Sequence, residues 1–276
     1  MENSNTYSSF LQKLLEKKYP DTDFNAINVG QIGFSSWQGL EFYKKYLLGK
    51  INADMVIIAY GVNDVDKFRF FYTSTLPDKD EFSKPKENWQ ISLQNILIRF
   101  NSINLLSRTI FKYADGLMCL QKNIPVRRVD DNDFVANIDE IIRLSKLNGS
   151  EVILLTSPYN LPTYNIKDPD YEKYQNTDYC YEKNINERKK IIEKDRQLEP
   201  KRIAKDINIL NNLLRNISKR DNITLVDAEK ILNTFKENNM FIDPIHMSKA
   251  GNEKIAQNIF SAITEKSLII NKNMGN

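Results

Sequence analysis

The sequence predicts an α/β fold: a mostly parallel sheet with helices on both faces. Short apolar runs bounded by turn residues recur along the chain, and the segments between them carry apolar residues at helical spacing. Several of the apolar runs end at a glycine followed by polar residues. Such alternation implies right-handed crossovers between parallel strands, with ligands held beyond the carboxyl ends of those strands.

Asn5 or Thr6 is placed to cap a first helix, whose apolar positions Tyr7, Phe10, Leu11, Leu14 and Leu15 follow a 3.6-residue period and which ends near Tyr19-Pro20. Phe24 to Val29 reads as a short strand between Asp21-Thr22-Asp23 and Gly30, and Ser35 to Leu48 as a helix. Asp54 to Tyr60 is a stronger buried strand that stops at Gly61. Long helical stretches around Glu87 to Tyr113 and from Asn132 to Leu147 precede another apolar strand, Glu151 to Thr156, opened by Gly149. A helix from Lys201 to Ser218 leads to the strand Ile223 to Val226, then a short helix, then an amphipathic helix from Ser248 to Lys266. The segment from Tyr159 to Lys194 breaks this order. It carries Tyr159, Tyr164, Tyr171, Tyr174, Tyr179 and Tyr181 among charged and turn-forming residues. It is either a lid or substrate-contacting insertion, or a solvated insertion whose phenols pack against the domain. The expected organisation is one domain over residues 1–276 with this Tyr-rich insertion at about 159–200.

Hydrophobic residues make up 41% of the chain and charged residues 27%, so it should fold and not remain disordered. Basic and acidic residues number 39 and 36, with the lysines scattered, which argues against a nucleic acid partner. Cys119 and Cys180 lie far apart and His246 is the sole histidine, so a Cys/His metal site is not expected and no cofactor motif stands in its place. No apolar run approaches the roughly 18 residues of a transmembrane segment. The compartment stays open, cytoplasmic by default and exported or anchored if an upstream segment carries a signal.

Three strand ends present groups suited to chemistry. Gly30-Gln-Ile-Gly33 follows the first apolar run, Gly61-Val62-Asn63-Asp64 the second, and Asp243-Pro244-Ile245-His246 lies beyond the last. An imidazole takes a hydroxyl proton near neutral pH, and a carboxylate three residues earlier can accept from its other ring nitrogen. A side-chain amide aimed at a developing oxyanion lowers the barrier to acyl transfer.

These residues and their order resemble the SGNH/GDSL hydrolase superfamily, whose blocks run Gly-Asp-Ser, then Gly, then Gly-x-Asn-Asp, then Asp-x-x-His. The resemblance covers roughly residues 5 to 265 and implies a three-layer sandwich with a flavodoxin-like sheet. It implies His246 as general base, Asp243 as the carboxylate that orients it, and Gly33 (backbone N–H) and Asn63 (side-chain amide) as oxyanion donors. The activity it implies is hydrolysis of an acyl ester or a carbohydrate O-acetyl ester by a Ser-His-Asp triad, on a small-molecule, carbohydrate or lipid ester, without a metal or cofactor.

One block is absent. No Gly-Asp-Ser occurs in the 276 residues, and Ser4, Ser8 and Ser9 fall at or inside the first helix. The superfamily's helix after that block opens on Thr-Tyr, and here Thr6-Tyr7 follows Met1 almost at once. The expectation is therefore that the first, central strand and its serine lie upstream of Met1. The alternative is a catalytically inactive remnant or binding protein on the same scaffold.

Overall fold

A computed structural model describes residues 5–65, 78–79, 127–160, 185–235 and 238–268. The chain divides into two compact units, one of Met1–Asp66, Val129–Tyr164 and Lys201–Asn276, the other of Lys67–Arg128 and Asn165–Pro200. In the second unit Asp78 and Arg128 form a buried ion pair, Arg128 Nη2 lying 2.9 Å from Asp78 Oδ2. The expected helix at Glu87 to Tyr113 and most of the Tyr-rich segment lie outside the described residues.

The first unit carries the sheet. In chain order its elements are α1 (Tyr7–Lys18), α2 (Ser36–Phe42), a π-helical turn (Tyr43–Leu47), β1 (Met55–Ile58), α3 (Val62–Val65), α4 (Asp131–Leu147) and β2 (Glu151–Leu155). After the end of α5 (Ile185–Asp221) come β3 (Thr224–Val226), α6 (Ala228–Asn233) and α7 (Lys249–Glu265). The strands lie in the order β1-β2-β3, all parallel, with Ile57 opposite Ile153 and Leu154 opposite Leu225. The α/β class and the parallel sheet are those the sequence predicts.

Strand β2 explains why there are layers on both sides. Val152 to Leu155 are all buried, and because side chains alternate across a strand, Val152 and Leu154 face one way and Ile153 and Leu155 the other. The first pair packs with Leu40 of α2, Phe134, Ile138 and Ile141 of α4, and Ile207, Leu210 and Leu214 of α5. The second packs with Leu11 and Leu15 of α1, Leu232 of α6, and Ile255, Ile259 and Ile263 of α7. Each of these branched side chains contributes roughly 1.5–3 kcal/mol on full burial, so a strand of five residues becomes the centre of the unit.

The caps follow the sequence closely. Thr6 accepts from the Ser9 N–H, Asp130 from Asp133, and Ser248 from Gly251, which ends the helices' orphan donors where Ser, Thr and Asp allow it. Ser35 and Gln38 form a reciprocal capping box on α2. The Ser35 to Leu48 helix does not continue as an α-helix: from Tyr43 it widens, with the Leu48 N–H reaching back five residues to the Tyr43 carbonyl.

One expected strand does not form. Phe24 to Val29 carries no sheet pairing, and its Ile27 and Val29 are exposed. A strand exists only through a partner's hydrogen bonds, and among the described residues β1 pairs with β2 alone, on one side. The run is held instead by side chains: Gln12 Oε1 accepts from the Ala26 N–H, and Asn28 Oδ1 from the Gly30 N–H.

Candidate active site

The carboxyl end of β1 runs Tyr60-Gly61-Val62-Asn63-Asp64. Gly61 sits at φ +144°, and a Cβ there would lie 2.7 Å from Ser157 Oγ, so both its backbone and its lack of a side chain are required. Asp64 is fully buried and its Oδ1 accepts from the Ser36 N–H at 2.7 Å, pinning the start of α2 to the end of β1. The second half of the Asn63-Asp64 pair is thus an anchor. Asn63 itself is half-buried, and its amide makes no hydrogen bond to a described residue. Tyr60, partly buried, has its phenol pushed up to about 12 by burial first, then by the Asp64 carboxylate and Tyr7.

Gly33 precedes Ser36 by three residues and has φ +77° with open space where a Cβ would stand, so turn geometry and not crowding selects glycine there. The Asp64–Ser36 bond therefore brings the Gly33 turn to the strand end that carries Asn63. Behind it, Asn137 Nδ2 of α4 donates to Ser36 Oγ at 3.1 Å.

Asp243 and His246 occupy a tight turn between a 3-10 turn (Asn238–Met240) and α7. The Ile242 N–H bonds the His246 carbonyl and the Ser248 N–H bonds the Met240 carbonyl, closing the turn's base. Asp243 Oδ1 accepts from the Ile245 and His246 N–H groups at 3.0 and 2.8 Å, while Oδ2 lies 2.7 Å from His246 Nδ1. Desolvation acts to raise the Asp243 carboxyl, but the backbone donors and the imidazole outweigh it and hold it below the usual carboxylate range. An ionised carboxylate only accepts, so Nδ1 carries the proton and the Nε2 lone pair points away from Asp243. Both side chains are exposed, His246 by 67% and Asp243 by 44%. Gly251 lets α7 back onto this turn, since a Cβ would stand 2.3 Å from the Met240 carbonyl oxygen.

The expected site residues fall into two groups, Gly33 with Asn63 at the end of β1, and Asp243 with His246 in the late turn. No direct hydrogen bond joins the groups among the described residues. They are linked through Ser157 and Asn160 after β2: Ser157 Oγ donates to the Tyr60 carbonyl at 3.1 Å, and the Asn160 N–H donates to the Pro244 carbonyl at 2.7 Å.

Sequence reasoning missed the group that holds this link. Asn211 of α5, fully buried, accepts from the Ser157 N–H at 2.8 Å and donates to the Ser157 carbonyl and to Glu229 Oε2, each at 2.9 Å. Arg215, one turn on, bonds Asp227 and Glu229 at the end of β3. Tyr159 also meets Glu229, and its burial drives its phenol upward. Polar residues at strand ends, Ser157 and Asp227, were the available signal; nothing in the sequence pairs Ser157 with a helix residue 54 positions on. The described residues hold no cluster of metal-ligating side chains, and no described helix is long and apolar enough to cross a membrane.

No protein-family model matches the sequence, and no curated protein sequence matches it. Solved structures do. LAE5, an alpha/beta hydrolase enzyme from the metagenome of Lake Arreo in Spain, is 16% identical with a TM-score of 0.52 over 96% of this chain and 84% of its own. The acetyl xylan esterase AlAXEase is 16% identical, TM-score 0.52, over 95% of this chain and 92% of its own. A catalytic mutant of Axe2, an acetylxylan esterase from Geobacillus stearothermophilus, is 14% identical, TM-score 0.52, over 94% and 80%. At these identities the likeness concerns architecture, and the chain shares the α/β fold of these hydrolase and esterase structures.

Proposed function

We propose that this chain is the scaffold and the base-and-oxyanion part of an SGNH-type ester hydrolase, and that the nucleophilic serine belongs to a segment outside these 276 residues. The observation that carries the proposal is the Asp243–His246 turn, with Nδ1 at 2.7 Å from the carboxylate and Nε2 turned away from it. In this reading Nε2 removes the proton of a serine hydroxyl as that oxygen attacks the ester carbonyl, and returns it to the leaving alcohol. Asp243 keeps the ring in the required tautomer and offsets the imidazolium charge. The Asn63 amide and the Gly33 N–H receive the oxyanion, a donor of this kind being worth roughly 3 kcal/mol. The substrate is an acyl ester or a carbohydrate O-acetyl ester, and because two of the similar structures are acetylxylan esterases, an acetylated xylo-oligosaccharide is the first to try.

Joining an apolar strand that ends in Gly-Asp-Ser ahead of Thr6-Tyr7 tests the proposal. The chain as it stands should release acetate from an acetylated xylo-oligosaccharide at background, since loss of the nucleophile costs roughly a millionfold. The extended chain should turn over, and His246→Ala should silence it again. A folded extended chain that stays at background on acetyl and longer acyl esters would overturn the hydrolase reading and favour a non-catalytic binding protein, the reading motivated by the absence of Gly-Asp-Ser.

A further inference from the structure

We propose that the Asp243–His246 pair is itself a nucleophilic acyl-transfer site that hydrolyses activated aryl esters without any serine. Four features of the turn point there. The Nδ1 proton is committed to a carboxylate at 2.7 Å, which leaves the lone pair on Nε2. That carboxylate is fixed by two backbone N–H groups, so it does not rotate away. The ring is 67% exposed, and no described residue hydrogen-bonds Nε2, so an ester can approach it. Among the described residues, Asp243 is the one side chain that hydrogen-bonds the ring, and no described hydroxyl does.

The reaction balances with water alone. Nε2 attacks the acyl carbon, a C–N bond forms, and the C–O bond to the aryl group breaks as the phenolate leaves with its electron pair. Acylation makes the Nδ1 proton acidic, and it passes by way of Asp243 to water. Water then adds to the acyl carbon, the C–N bond breaks, the carboxylate and a proton are released, and Nδ1 regains its proton. A phenolate with a stable anion leaves more readily than imidazole, whereas an alkoxide does not, which restricts this activity to activated aryl esters. The inference therefore stands apart from the serine-dependent reading.

The test uses the 276-residue chain with its thiols blocked and p-nitrophenyl acetate, following p-nitrophenolate in the steady phase after amines have reacted once. His246→Ala should remove most of the steady rate. Asp243→Asn retains an oxygen for the Ile245 and His246 N–H groups but turns an amide donor toward Nδ1, which moves the ring proton to Nε2. It should lower the rate about fivefold, the upper end of what an exposed pair supplies. Rapid quenching should place an acetyl group on the peptide that holds His246, discharged by hydroxylamine. A steady rate unchanged in His246→Ala, or Asp243→Asn equal to the unsubstituted chain, overturns the proposal. Both side chains are exposed, so the variants should remain folded, which circular dichroism checks.

Discussion

Asn211→Ala should cost about 4 kcal/mol of folding stability. Asn211 is fully buried and makes hydrogen bonds of 2.8, 2.9 and 2.9 Å to Ser157 N–H, Ser157 carbonyl and Glu229. Glu229 keeps Arg215 as a partner at 2.6 Å, so it is not stranded. Ser157 is: its peptide N–H and carbonyl lose their side-chain partner inside the protein, and each buried group left unsatisfied costs about 1–3 kcal/mol. Two such groups give about 2–6 kcal/mol, a large part of a typical domain's stability. Urea unfolding followed by circular dichroism reads this as a lowered midpoint at constant slope. Asn212→Ala, on the exposed side of the same helix, is the control and should stay within about 0.5 kcal/mol of the parent. An Asn211→Ala chain within about 1 kcal/mol of the parent would show that water or a rearranged loop satisfies Ser157, and the assignment of Asn211 as the strut of the strand ends would be wrong.

Gly251→Ala forces a Cβ to within 2.3 Å of the Met240 carbonyl oxygen, a backbone atom, so α7 or the 3-10 turn must shift; overpacking of this kind costs about 1–3 kcal/mol, read as a lower midpoint in thermal unfolding. Asp227 provides a pH test. Its burial acts to raise its carboxyl, but hydrogen bonds from Arg215, the Lys230 N–H and Thr156 outweigh this and hold it below the usual range. A depressed carboxylate contributes stability that is fully present above its unfolded value, about 3.9, and is lost as pH falls through its lower folded value. Urea midpoints should therefore fall more steeply below about pH 4 for the parent than for Asp227→Asn, and parallel curves would contradict the ion pair's role.

What could be read in the sequence was whatever is settled by near neighbours. Thr6 caps its helix as the sequence suggests, because a cap spans three residues. The Asp243–His246 pair was legible for the same reason, the carboxylate bonding groups two and three residues on. Strand β2 was legible because a strand buried on both faces needs an unbroken apolar run. Tertiary structure alone decided the rest. Phe24 to Val29 has the composition of a strand yet is none, since pairing is a property of two segments and no described strand pairs with it. Asp64 became the buried anchor of the Gly33 turn, 28 residues from the N–H it holds, and Asn211 the clamp on Ser157 at a separation of 54. Hydrogen bonds over such distances leave no spacing in the sequence. They depend on the hydrophobic packing of α2, α4 and α5 on one face of β2, which holds the strand ends together.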